Sequence, residues 1–312
     1  MIRHRLTAIA LPLLLATGCA STAPVRRADL PAGQRFAGQM ETADTNATAA
    51  IRRVADFEQV VVREEAAVAY ATDGRRPADR PGPSAADAAG MVFAPAFAAI
   101  GDYGHVMGHV ASGLPITAKP GPSGAELARL TEAGLAAVQT AAGVTVTPEV
   151  RSAGLAGIIA LADLAETISK RGGPEPGLRT LAAEAEPHLA AVVELLKQVL
   201  GAETGQAVRG AVRSSRNALE ASHNRLLTAA RATNRDPVAR YSLYRSIVAL
   251  RDNDPVQGTI GAVVTVLNRL HTAHVALAAD PTSTDTAGKV VAFENAVNAL
   301  GEIAGVQPTE EQ

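Results

Sequence analysis

The sequence predicts an all-α protein, a multi-helix up-and-down bundle of about eight or nine helices, on three observations. Hydrophobic residues make up 47% of the 312-residue chain, yet alanine supplies much of that share and aromatics only 3%. Alanine loses no side-chain entropy in a helix, so this composition leans towards helix. Apolar residues recur at spacings of three and four, the period that turns one helix face towards a core. Clusters of proline and glycine punctuate these runs, and no alternating stretch bounded by Asn-Gly or Asp-Gly turns interrupts them.

The first helix is expected over residues 42–72, with Ile51, Val54, Phe57, Val61 and Val68 near one stripe. A loop over 73–84, containing Pro77, Pro81 and Pro83, stops it. The second helix carries Phe93, Phe97, Ile100, Tyr103, Met107 and Val110, and a proline-rich loop over 113–124 follows. Leu127, Leu130, Ala137 and Ala141 mark the third. Thr147-Pro148 puts a capping hydroxyl before a proline at the first helical position and opens a fourth. That helix buries Leu155, Ile158, Ala162 and Ile168 and ends at Gly172-Gly173-Pro174. Pro187 starts or kinks a helix carrying Leu189, Val192, Val193, Leu196, Val199 and Leu200. Another spans 206–233. Asp236-Pro237 and Asp254-Pro255 each open one more, the latter lined by Ile260, Val263, Leu267, Leu270 and Leu277, and a last helix spans 286–303. Short connections favour antiparallel neighbours. No fixed-period repeat supports a solenoid.

The N-terminus has a different character. Arg3 and Arg5 precede an uncharged, mostly apolar run from 6 to 17, which Gly18-Cys19 closes. A dozen apolar residues are too few to span a bilayer, which needs about 20, so the run reads as a secretory signal. Leu15-Ala16-Thr17-Gly18-Cys19 resembles the bacterial lipobox, a small residue directly before an obligatory cysteine. The resemblance covers residues 1–19 alone. It implies diacylglycerol on Cys19, cleavage after Gly18 and acylation of the new amine. Cys19 is the one cysteine in the chain, which excludes disulfides and cysteine redox catalysis. Ala20-Ser21, with no aspartate at the second mature position, implies by the same resemblance an outer-membrane destination facing the periplasm.

Three regions are therefore expected: a signal peptide over 1–18, a lipidated flexible tether over 19–40, and a helical bundle over 41–312. Pro24, Pro31, Gly33 and Gly38 among scattered charges suggest the tether. Nothing else approaches 18 consecutive apolar residues, so no transmembrane helix is expected. Lys and Arg total 29 against 31 acids. Removing Arg3 and Arg5 leaves 27 minus 31, or −4, which offers no general attraction to nucleic acid.

Four histidines form two pairs. His105 and His109 stand four apart, and His271 and His274 three apart, so each pair shares a helix face. Two facing pairs would complete a tetrahedral zinc site, although His274 also falls on an apolar stripe, where a hydrogen-bonded core histidine is the commoner outcome. Glu220-x-x-His223 is half of a di-iron carboxylate motif and has no second copy. Between 206 and 251 lie nine arginines and two acids, Glu220 and Asp236. Arg209, Arg213 and Arg216 form one stripe there, an anion-binding face for lipid phosphates, an acidic polymer or an acidic partner. The alternative is a solvated face bridged to Glu184, Glu186 and Glu194. Apart from Tyr241 and Tyr244 no aromatics interleave these arginines for base stacking.

Signatures of serine hydrolases, zincins and P-loops are absent; Gly288-Lys289 is followed by Val290. Asp252-Asn253-Asp254 resembles the start of a calcium loop, but Pro255 breaks it and helix capping accounts for it better. No cofactor is expected. The function expected is that of an envelope lipoprotein, held at the membrane by lipid on Cys19, whose bundle binds or scaffolds an envelope component without catalysis. The rival is a metal-binding bundle using His105, His109, His271 and His274.

Overall fold

Alanine-rich helices can approach one another closely, and in this chain they do so ten times over. The computed structural model describes residues 31–74, 82–118, 120–203, 205–233, 236–252, 256 and 258–306. The expected signal peptide, Cys19 and the expected tether up to residue 30 lie outside them. Among the described residues all regular structure is helical: α1 Ala32–Asp73, α2 Ala85–Ala111, α3 Gly124–Ala142, α4 Pro148–Ala162, α5 Leu164–Arg171, α6 Leu178–Leu200, α7 Ala207–Ala232, α8 Pro237–Asp252, α9 Thr259–Ala279 and α10 Thr284–Ala304. The chain is an all-α multi-helix bundle.

Helix α1 begins ten residues before the expected start, so the end assigned to the tether belongs to the bundle. Phe36, Met40, Ala43, Ala47 and Ala50 extend the apolar stripe of Ile51 and Val54 upstream, and all are buried. Gly33 and Gly38, read as flexible punctuation, lie inside the helix. Arg35 locks this first stretch with a bidentate pair to Glu294 of α10, Nε donating to Oε1 at 3.0 Å and Nη2 donating to Oε2. At 42 residues α1 is about 63 Å long.

Ten helices replace eight or nine because the expected fourth breaks in two at Asp163, where α4 and α5 bend by 61°. The break has a use: Asp163 Oδ1 accepts the Gly124 backbone N–H at 2.8 Å and so caps α3. Arg35 meets Glu294, Asn46 Nδ2 donates to the Val297 carbonyl at 2.8 Å, and Gly305 faces Arg53, so α1 and α10 run parallel. Glu58 lies at Ala86 and Gln34 at Ala111, so α1 and α2 run antiparallel.

Several local expectations change. Thr147 makes no side-chain cap, and Pro148 alone fits its helix start. Leu130 is 39% exposed, and Leu155 and Ala162 are half-buried rather than core. Pro187 lies inside α6, which starts nine residues earlier at Leu178. Ser84, unremarked in the sequence, forms a capping box with Asp87. By length and composition α9 could cross a membrane, contrary to expectation, because Asn268, Arg269 and His271 do not lower its average enough. Half of its apolar window is buried, and α9 packs on α1, α6 and α10 as a core helix does.

Helix α2 is the hub, packed against α1, α3, α4, α5, α6 and α7. Its buried residues include Ala86, Ala88, Ala89, Ala96 and Ala99 alongside Phe93, Phe97 and Ile100. Pro95 lies inside it and removes the N–H that would bond the Met91 carbonyl. At that point α3 offers Gly134, where a methyl group would stand 2.7 Å from the Met91 carbonyl carbon and 2.8 Å from its oxygen. Gly157 of α4 has the same tight fit against the His188 carbonyl of α6, at 2.6 Å.

Gly134→Ala should therefore cost about 1–3 kcal/mol, read as a lower urea midpoint with an unchanged slope. Gly261→Ala, in open space on α9, should be neutral or stabilising by up to about 1 kcal/mol. Equal effects at the two sites would refute the close-packing account.

Candidate functional site

The histidine pairs do not converge. His274 is fully buried, and its Nε2 lies 2.7 Å from the Tyr103 hydroxyl of α2. Phe36 of α1 packs beside it with ring centroids 6.0 Å apart. Burial above all, with a smaller push from His271, lowers the His274 imidazole to about 3, so it stays neutral. Burial also raises the Tyr103 phenol well above its usual value. The neutral phenol and the neutral imidazole share one hydrogen bond, whose direction follows the imidazole tautomer. His274 Nδ1 has no hydrogen-bond partner.

His271 turns away from the core, its Nε2 lying 3.0 Å from Glu186 Oε1 on α6. His105 and His109 lie with ring centroids 4.3 Å apart, tilted by 47°, and face the segment after α2. His105 Nε2 lies 3.4 Å from the Thr117 hydroxyl, and His109 Nδ1 lies 2.6 Å from the Pro115 carbonyl, to which it donates. The imidazoles thus brace a loop, a helix neighbour and the core. Among the described residues no group of three or more His, Cys, Asp or Glu side chains could hold a metal ion. The four-histidine metal site expected from spacing is not assembled, because His274 points inward to Tyr103 while His271 points outward to Glu186. Likewise His223 is buried against Glu64 of α1, 3.2 Å away, and Glu220 is exposed.

The basic segment forms α7 and α8. Arg209 is half-buried, its Nη1 donating to the Ala202 carbonyl at 2.9 Å, so it ties down the turn before α7. Arg213 and Arg216 are exposed on the same helix, as are Arg225 and Arg231. The acids proposed to bridge them are engaged elsewhere. Glu184 pairs with Arg171, Glu186 with His271 and Glu194 with Lys197. Arg213 and Arg216 are the outward members of this stripe and Arg209 a structural one.

Sequence reasoning missed the groups that pin this scaffold. Glu58, mostly buried, accepts the Ala86 N–H of α2 at 2.9 Å, and burial raises its carboxyl above the usual range despite that hydrogen bond. Tyr103 was counted as one apolar position on a stripe. A tyrosine and a histidine each at a core position is a signal of mutual satisfaction, but their separation of 171 residues hides it. A groove of about 570 Å³ opens between Gln59, Ser84, Ala141 and Ser214, lined by small side chains.

The depressed His274 sets a pH dependence. Its folded value lies below its unfolded one, so its contribution is complete above about pH 6.5 and is lost as pH falls towards 3. The loss is bounded by about 5 kcal/mol. His274→Gln should lower stability at neutral pH yet flatten the urea-unfolding profile between pH 6.5 and 4. Parallel profiles for the two proteins would refute this. Compared with protein-family models, with curated proteins and with solved structures, the chain matches none.

Proposed function

We propose that the protein is a membrane-anchored cell-envelope lipoprotein whose helical bundle is a non-catalytic binding or scaffolding module. In this reading lipid on Cys19 holds the chain at the membrane, in the outer membrane facing the periplasm, and the basic α7–α8 segment meets an anionic envelope component. The observation that carries the reading is charge segregation. Nine arginines face two acids between 206 and 251, in a chain of net charge −2. Arginine suits such a role because its fork grips phosphate or carboxylate oxygens in pairs.

The anchor half of the reading predicts that the chain takes up an alkyne-labelled fatty acid in growing cells and that Cys19→Ala abolishes the label. Labelling that survives the substitution would remove the anchor. The binding half predicts that Arg213→Glu with Arg216→Glu lowers cross-linked partner recovery at least tenfold in cells, with the circular-dichroism spectrum unchanged. Undiminished recovery would remove the arginine face from the interaction.

A further inference from the structure

Helix α8 differs from the other nine in what it shows to solvent. Its N-terminal three turns are almost wholly exposed, and Ile247 is its one fully buried side chain among those described. It packs on α7. The exposed side chains include Val238 at 68%, Tyr241 at 63% and Tyr244 at 55%. At 100° per residue these three, with Arg245, fall within about a third of the helix circumference. Arg240 flanks them, and both arginines are exposed. The face is thus apolar and aromatic, with Arg245 between Val238 and Tyr241 and Arg240 along one edge.

We propose that this face of α8 docks on an anionic phospholipid surface, with Tyr241 and Tyr244 at headgroup depth and Arg240 and Arg245 against lipid phosphates. The proposal rests on the tethered-lipoprotein reading above and names its partner. Two arguments favour a lipid surface. Three exposed apolar or aromatic side chains are far fewer than a stable protein interface uses, about 20 residues a side. They suffice for a surface contact when a tether keeps the surface at millimolar effective concentration. Tyrosine places an apolar ring and a polar hydroxyl at the depth where a bilayer changes from hydrocarbon to water.

The second argument is geometric. Helix α1 starts at Ala32, so 12 residues separate Cys19 from the bundle. A chain of 12 residues reaches no further than about 43 Å at full extension, so lipid on Cys19 would keep the bundle near its membrane. The tether joins at Ala32, whereas α7 meets α1 at Glu64 through His223. The two points are about 48 Å apart along the α1 axis. A lipid at one end and α8 towards the other give two attachments, so the bundle lies along the membrane.

The chain contains no tryptophan, so Tyr241→Trp is a single-site reporter. The full-length protein carrying it, purified from growing cells, is mixed with vesicles of phosphatidylcholine alone, or with about one-third phosphatidylglycerol. Brominated lipids serve as depth quenchers. Emission should shift to the blue and quench with anionic vesicles alone. Arg240→Glu or Arg245→Glu should each weaken this by about fivefold or more. Val291→Trp on α10, a helix that packs on α1 and α9, should stay solvent-like in both. Flotation on neutral vesicles reports the anchor separately. A protein that floats on both compositions with no quenching at position 241 overturns α8 docking and leaves the anchor standing. One that floats on anionic vesicles alone, with quenching, supports docking and removes the anchor. One that floats on neither removes both. A photoreactive residue at 241 that captures a protein rather than lipid in cells also overturns the proposal.

Discussion

How closely helix backbones can approach α2 sets the positions of the other helices. Six helices pack around α2, and they fit because its buried surface is built largely of alanine. The limit is reached at Gly134, where the α3 backbone lies against the Met91 carbonyl that Pro95 leaves without its helical partner. Proline and glycine act there as one device. One frees an acceptor, and the other lets a neighbouring backbone lie close over it. Removing either residue alone would leave a gap or a clash.

Alanine packs tightly but without much specificity, since one alanine seam fits another in several registers. A small number of buried polar contacts supplies what the seams lack. Arg35 with Glu294 and Asn46 with the Val297 carbonyl fix α1 against α10. Glu58 fixes α1 against the start of α2, and Tyr103 with His274 fixes α2 against α9. Each contact loses its worth if the helices slip by one turn, because a buried polar group left alone is costly. The energetic gain of each is modest, and its role is to single out one arrangement.

The all-α class and most helix positions were legible in the sequence because the apolar period and the proline and glycine punctuation agree. The start of α1 was not, since Gly33 and Gly38 mimic a linker while Phe36 and Met40 continue the stripe. The break at Asp163 was not either, because the partner its side chain meets there is Gly124, 39 residues away. Histidine spacing correctly placed His105 beside His109. It could not tell that His274 turns towards a tyrosine of another helix while His271 turns towards Glu186. The arginine excess was visible in the sequence, whereas the exposure of Tyr241 and Tyr244 needed the packing of α8 on α7.

The parallel pairing of α1 with α10 has a consequence for how the chain reaches this state. These are the first and last helices, and their bonded residues lie more than 250 positions apart. Closing a loop of that length costs on the order of 5 kcal/mol in chain entropy before any contact repays it. A chain that emerges N-terminus first exposes Phe36 long before Phe293 arrives to cover it. The earliest apolar surface made is thus the last to be sealed, and until then the half-built bundle is open to capture by a holdase or by another copy of itself.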